Sequence, residues 1–422
     1  MGTRKRSVLL VTTTPLLPLD SGGRIYAWGT TEPLAPDWDY HLLAMANTEE
    51  EADFVANRDE QLREYRRVFR SVHIVKRPPI PAQLNRRAVL RHLSFHARNG
   101  LPLMDVSYYS EEAVTIARDV VRSHNIDLLE VDHLQMSFVK KFVQDIPAVL
   151  VSHNIEGDLH PFWPTHRWMP PAMVVWLAFG KLSRRNTRDI ELGNKFRFDA
   201  KLFISERDME RVGTECPKHL LPVPMRPEPG HRGFSADRFS ILWLGGFDWP
   251  PNTEGMVWFM NEVWPRFRQL AGDVPTELHI VGRHPPDEIQ RFDGTDQIAV
   301  HGYVSDVAMW KDGADALIAP LLSGSGVRVK IVEALAAGLP VVSTPKGREG
   351  LPVEDGAELL VAEDAEGFAT ELARLARSVD VRRRLSDAAK AYVGRHHAPE
   401  VAAAVKADVF RSVLDGRSQA PS

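Results

Sequence analysis

Arg328, Lys330 and Glu333 are the residues of this 422-residue chain whose types and spacing point most clearly to chemistry. The two cations lie at the start of a stretch with helical spacing, Val327–Ala337, directly behind the small-residue loop Ser323-Gly324-Ser325-Gly326. A helix start leaves backbone N–H groups without partners and carries a partial positive charge, so carboxylates are its usual neighbours. Two full positive charges at that place fit a bound anion, and phosphate suits the loop amides. Glu333 follows Lys330 by three residues and shares its face, where a carboxylate suits the two hydroxyls of a ribose. The alternative is a surface helix with a Lys330–Glu333 ion pair behind an ordinary turn.

The surrounding elements position this grouping. Ala316–Pro320 reads as a buried strand before the loop, Gly338-Leu339-Pro340 stops the helix, and Val341–Ser343 is the next strand. From the N-terminus, Ser7–Val11 is a strand, and a loop through Asp20-Ser21-Gly22-Gly23-Arg24 leads into a helix ending near Ala35. That is the usual opening of a doubly wound domain, but it lacks a GxGxxG fingerprint and does not read as a dinucleotide site. Gly22 and Gly23 are either a structural turn or part of a ligand edge. Strands are expected at Tyr40–Ala44, Val72–Val75, Ile126–Val131, Ala148–Ser152 and Lys201–Ser205, and helices at 49–69, 84–98, 110–124 and 206–213. His153 directly follows a strand's C-terminal end, where open sheets bind ligands, and becomes a candidate on that ground. Residues 166–190 are apolar, then basic; they read as a helix wedged between domains, with a lipid-surface helix as the alternative.

Residues 222–237 hold four prolines and two glycines without periodicity, and form the clearest linker. Strand–helix alternation restarts after it, with strands at 239–244, 277–281, 298–300, 316–320, 341–343 and 358–361, and a helical tail over 364–417. The expected architecture is α/β, two doubly wound parallel-sheet domains facing a cleft, at 1–225 and 226–395, with 396–422 a helix crossing back to the first.

Net charge is -4, which leaves no nucleic-acid footprint. Cys216 is the only cysteine, so no internal disulfide or Cys-based metal site exists and a reducing, cytoplasmic setting is expected. No run reaches the ~18 apolar residues of a membrane span, so membrane contact would be peripheral.

These segments together resemble the retaining nucleotide-sugar glycosyltransferases of the GT-B fold, the glycosyl transferases group 1 family. The similarity is strongest over 239–350, and rests on Gly324–Lys330 with Glu333-Ala334, on ILWLGGFDWPPNTEG at 241–255 and on VSHNIE at 151–156. The family signature is two glutamates with seven residues between them. Glu333 matches the second, but Ser325 stands in place of the first. The family's Arg and Lys after the first strand of the second domain are replaced by Gly245-Gly246-Phe247-Asp248.

The resemblance implies an NDP-sugar donor, no metal or other cofactor, and an acceptor hydroxyl on a glycan, a lipid-linked saccharide or a small natural product. Arg328, Lys330 and the amides of Gly324, Ser325, Gly326 and Val327 would hold the diphosphate, with Arg283 a weaker candidate, and Glu333 the ribose. His153 would sit by the reacting side of the sugar and face the cleft, with Gly22 and Gly23 near phosphate and acceptor. Alternatives are an inactive sugar-nucleotide-binding partner, a nucleotide-sugar 2-epimerase, and a cyclitol-coupling enzyme on the same fold.

Overall fold

The computed structural model describes residues 4–19, 21–78, 99, 108–153, 155, 185–192, 195–230, 233–304, 306–324 and 327–418. The expected helix at 84–98, residues 166–184, and Ser325 and Gly326 lie outside the described residues. The chain divides into two compact units, one of Met1–Leu221 with Ala402–Ser422, the other of Pro222–Val401.

The first unit is built on β1 (Arg6–Thr12), β2 (Trp38–Ala46), β3 (Phe69–Lys76), β4 (Leu128–Asp132), β5 (Ala148–Ser152), β6 (Ala200–Phe203) and β7 (Lys218–Leu220). They pair in the order β3-β2-β1-β4-β5-β6-β7, all parallel. β4 reads LLEVD and is buried throughout, as a strand covered by helices on both faces must be. The second unit holds β8 (Phe239–Leu244), β9 (Thr276–Val281), β10 (Ile298–Gly302), β11 (Ala316–Ala319), β12 (Val341–Ser343) and β13 (Leu360–Val361), paired parallel in the order β10-β9-β8-β11-β12-β13. Both are doubly wound sheets, the α/β class expected. In each, the centre of the sheet is where the strand order reverses, and ligands of such folds gather at the C-terminal strand ends there.

Four helices matter below: α1 (Gly22–Thr31), α2 (Pro250–Trp258), α3 (Val329–Ala336) and α4 (Pro399–Ser418). Some expected elements differ in detail. The charged stretch 49–69 is two helices, Thr48–Ala56 and Arg58–Tyr65, meeting at Asn57, and the first is capped by an Asn47–Glu50 box. The stretch 252–270 is interrupted by a π-turn at Phe259–Val263. Pro265 explains it, since the ring has no N–H for the carbonyl four residues back. β7 was not expected. It is three residues, Lys-His-Leu, without an apolar run, and exists because it pairs with β6 at Lys201↔Lys218.

Candidate active site

In the second unit β8 and β11 are neighbours, and the loop after β11 returns as α3. The helix begins at Val329, two residues later than its spacing indicates, because Arg328 has φ -85 and ψ 88, outside the helical region. Arg328 is therefore the N-cap, with no capping side chain. Gly324 has φ +99, and a Cβ there would lie 2.9 Å from the Arg328 guanidinium Nη2. Only glycine lets the loop turn left-handed and close on that cation. The Ser323 hydroxyl donates to the Glu254 carboxylate and ties the loop to α2. Val327 is half-buried beside it.

Lys330 points to the end of β8. Its Nζ donates to the Leu244 carbonyl at 2.9 Å and to Asn252 Oδ1 at 3.1 Å, and stands 5.1 Å from the centre of the Trp243 ring system. Asn252 in turn donates to the Gly246 carbonyl at 2.8 Å. Gly282 seats this turn: a Cβ there would fall 1.6 Å from the Gly245 oxygen. Burial, and then the Arg328 charge, push the Lys330 ammonium down to about 7. The Lys330–Glu333 pair of a plain surface helix does not form; Lys330 instead occupies the place beside Gly245-Gly246 where the sequence lacks a cation.

Glu333 is half-buried, and no described residue hydrogen-bonds its carboxylate. Burial raises its pKa, opposed by Lys311. Arg283 is exposed just past β9, and among the described residues only its carbonyl is used, accepting from Phe247 N at 3.0 Å. Arg328, Lys330 and Glu333 thus share one helix start, with Arg283 at the end of a neighbouring strand.

The other candidates belong to the first unit. Gly22 and Gly23 open α1 behind Ser21, which makes no side-chain cap. His153 follows β5, and Asp132 ends the adjacent β4, paired with Val151. His153 Nε2 is 2.5 Å from Asp132 Oδ1. His133 stacks flat on His153, with ring centroids 3.8 Å apart and planes 7° from parallel, while its Nδ1 is 3.2 Å from the same oxygen. Tyr26 of α1 meets His153 edge-on at 4.9 Å. Burial lowers the His153 pKa, His133 lowers it further, and Asp132 opposes both. Burial alone would raise Asp132, but the two imidazoles hold its carboxyl far below the usual range. An ionised carboxylate fixes the proton on the His153 nitrogen that faces it.

Asp132, His133 and His153 offer three ligand atoms within 4.8 Å of one another. Their geometry does not fit a cation. Lone pairs of an imidazole lie in the ring plane, and two parallel stacked rings aim them side by side rather than at one ion ~2.0–2.1 Å from each. Asp132, His133, Asn252 and Glu254 are the neighbours of the candidate residues and their loop that spacing alone did not single out. Asp132 and His133 carry the signal that marked His153, the C-terminal end of a buried strand.

Residues 238–378 match the family "Glycosyl transferases group 1". An uncharacterized 44.6 kDa protein in the cps region of Klebsiella pneumoniae is 24% identical over 405 residues, 88% of this chain and 91% of that protein. A phosphatidyl-myo-inositol mannosyltransferase of Mycolicibacterium smegmatis is 31% identical over 175 residues, 39% of this chain and 44% of its own length. Among solved structures, TarM superposes with a TM-score of 0.65 at 9% identity over 97% of this chain and 99% of its own. Sucrose-phosphate synthase from Thermosynechococcus elongatus gives 0.62 at 14%, covering 97% and 100%. HepE of Anabaena in complex with UDP and glucose gives 0.61 at 13%, covering 96% and 99%.

Proposed function

Given that the chain is a glycosyltransferase with the GT-B fold, we propose that it takes its sugar from a nucleoside diphosphate donor. Transfer goes with retention, and without a metal, to an acceptor hydroxyl. The observation that carries this reading is the closure of Gly324 over the Arg328 guanidinium at an uncapped helix start. That arrangement gathers backbone N–H groups and cations where a diphosphate would bring negative charge. Arg328 and Lys330 neutralise the leaving diphosphate as the sugar–phosphate bond breaks, and stabilising that charge is the main source of rate in such chemistry. Glu333, at the face one turn on, accepts the ribose hydroxyls. Retention follows from the likeness of Gly324–Glu333 to the retaining family's motif. HepE structures hold UDP and UDP-glucose, which supports a uridine diphosphate sugar as one donor class to try first.

Release of nucleoside diphosphate from UDP-glucose, UDP-galactose, GDP-mannose and ADP-glucose, with and without sugar and inositol-lipid acceptors, tests the reading. Acceptor-dependent release supports it. Binding without release from any donor would instead favour a sugar-nucleotide-binding partner, the role that Ser325 in place of a glutamate fits. Glu333→Gln should leave kcat nearly unchanged and raise the donor KM about ten- to a hundredfold, the worth of a ~1.5–3 kcal/mol charge-assisted bond made equally in ground and transition states. Donor titrations of both proteins check this, and an unchanged KM would remove Glu333 from the ribose.

A further inference from the structure

We propose that Asp248, steadied by His284, accepts hydroxyls of the donor's sugar and is the residue by which this chain selects that sugar; this rests on the nucleotide-sugar reading above. The two side chains come from the loops after β8 and β9, at the C-terminal strand ends where Lys330 is seated. Those loops run side by side past the strands. Gly245 N donates to the Val281 carbonyl at 3.1 Å, and Phe247 N to the Arg283 carbonyl at 3.0 Å. Side chains make the next rung, with His284 Nδ1 2.8 Å from Asp248 Oδ1. A carboxylate only accepts, so Nδ1 carries the proton of that bond. His284 has φ 54, a left-handed backbone that few residues with a side chain adopt, and strain of this kind gathers at sites with a task.

One Asp248 oxygen is thereby held, and the other lies over the turn that seats Lys330. A Cβ on Gly246 would be 3.7 Å from Asp248 Oδ2, the Gly246 carbonyl accepts from Asn252 at 2.8 Å, and Asn252 Oδ1 accepts from Lys330 at 3.1 Å. Helix capping does not account for the carboxylate. Asp248 stands just before α2, but that helix opens with Pro250-Pro251, which have no N–H groups to offer a cap. The side chains of Asp248 and His284 are 57% and 75% exposed, so a ligand can reach both, and a pair this exposed adds little to stability.

Lys330 divides the site. Glu333 lies one turn beyond it along α3, whereas Asp248 is reached through the partners of Lys330 at the end of β8. A diphosphate at Lys330 has a nucleoside on one side and a sugar on the other, and each side then has one carboxylate. The residues of the loop Ser323-Gly324-Ser325-Gly326 supply none. A carboxylate with one oxygen held accepts from sugar hydroxyls with the other, and such charge-assisted bonds are the strong ones. The ligand class is a neutral, hydroxyl-rich hexose; a uronate would meet a like charge.

The test is calorimetric titration of the full-length protein with UDP-glucose, UDP-galactose, GDP-mannose and ADP-glucose, and with UDP, GDP and ADP. Asp248→Asn keeps the size of the side chain and an acceptor for His284. It should weaken the sugar nucleotide that the wild type binds tightest by about ten- to a hundredfold, the worth of a hydrogen bond to a charged group, and leave the matching diphosphate unchanged. His284→Ala frees the carboxylate without removing it. It should cost the sugar nucleotide about two- to tenfold, the cost of ordering one side chain on binding, and again spare the diphosphate. Unchanged affinity for the sugar nucleotide in Asp248→Asn would overturn the assignment and leave the parent reading standing. Equal weakening of sugar nucleotide and diphosphate would overturn it too, since the pair would then serve the diphosphate or the loops. If the wild type binds none of the four sugar nucleotides, the parent reading fails and this one falls with it.

Discussion

Arg328→Ala is expected to lower kcat by about a hundred- to a thousandfold, the loss typical when one charge-stabilising donor is removed from a preorganised site. The preorganisation comes from the loop. Gly324 adopts a left-handed conformation that leaves room for the guanidinium, and Arg328 Nη2 donates to the Ser323 carbonyl at 3.5 Å, so the cation is held against the loop before any ligand arrives. A group fixed in this way needs no reorganisation as charge builds on the departing diphosphate. Its contribution is therefore greater in the transition state than in the bound donor. Arg328→Lys should recover only part, since an ammonium cannot offer two parallel donors to one phosphate. Steady-state release of nucleoside diphosphate measures this. If Arg328→Ala raises the donor KM and leaves kcat within about threefold, the residue binds donor uniformly and does not stabilise the leaving group.

Lys406→Met is expected to destabilise the protein by about 3–5 kcal/mol, the range for breaking a buried ion pair on one side. Lys406 lies on α4 with its side chain fully buried, and its ammonium is 2.6 Å from Glu130 Oε1 on β4, a carboxylate only 2% exposed. It also donates to Thr31 at 3.1 Å and stands 5.5 Å from the Tyr40 ring centre. Burial already raises the Glu130 pKa against the pull of Lys406, so removing the cation leaves the carboxylate alone in an apolar sheet. The pairing of Lys406→Met with Glu130→Gln should regain much of the loss, because no charge is then left uncompensated. Urea midpoints at constant slope measure both. A loss under ~1 kcal/mol for the single variant, the size found for exposed pairs, would show that the buried pair does not hold the helix to the sheet.

Much of the fold was legible because buried parallel strands announce themselves. AVLVS at 148–152 and FSILWL at 239–244 are apolar but for one serine each, and both are strands to the residue. β7 was not legible, since Lys218–Leu220 has no pattern of its own and is a strand only through its partner. Helix starts were less sharp. Val327 and Arg328 fit a helical spacing, yet the loop turn at Gly324 holds Arg328 out of the helix.

Within the site, the residue types of Arg328, Lys330 and Glu333 pointed to an anion with a hydroxyl neighbour. Spacing could not say that Lys330 reaches across to Leu244 and Asn252, because those partners are about eighty residues away in sequence. The same holds for Asp132 and His133. The local sequence Val131-Asp132-His133 has no motif, and only the pairing of β4 with β5 brings it against His153.

The most direct test of the diphosphate site is calorimetric titration with UDP, GDP and ADP at pH 8, repeated in buffers of different ionisation enthalpy. Lys330 is pushed down to about 7 by burial and by Arg328, so about nine-tenths of it is neutral at pH 8 in the free protein. A diphosphate beside it favours the charged form, raises its pKa and draws a proton from the buffer. At least one of the three nucleotides is expected to bind with uptake of close to one proton, and Lys330→Met to bind more weakly without that uptake. Absence of binding by all three, or binding with the same proton count in the wild type and Lys330→Met, would contradict a diphosphate seat at this helix start.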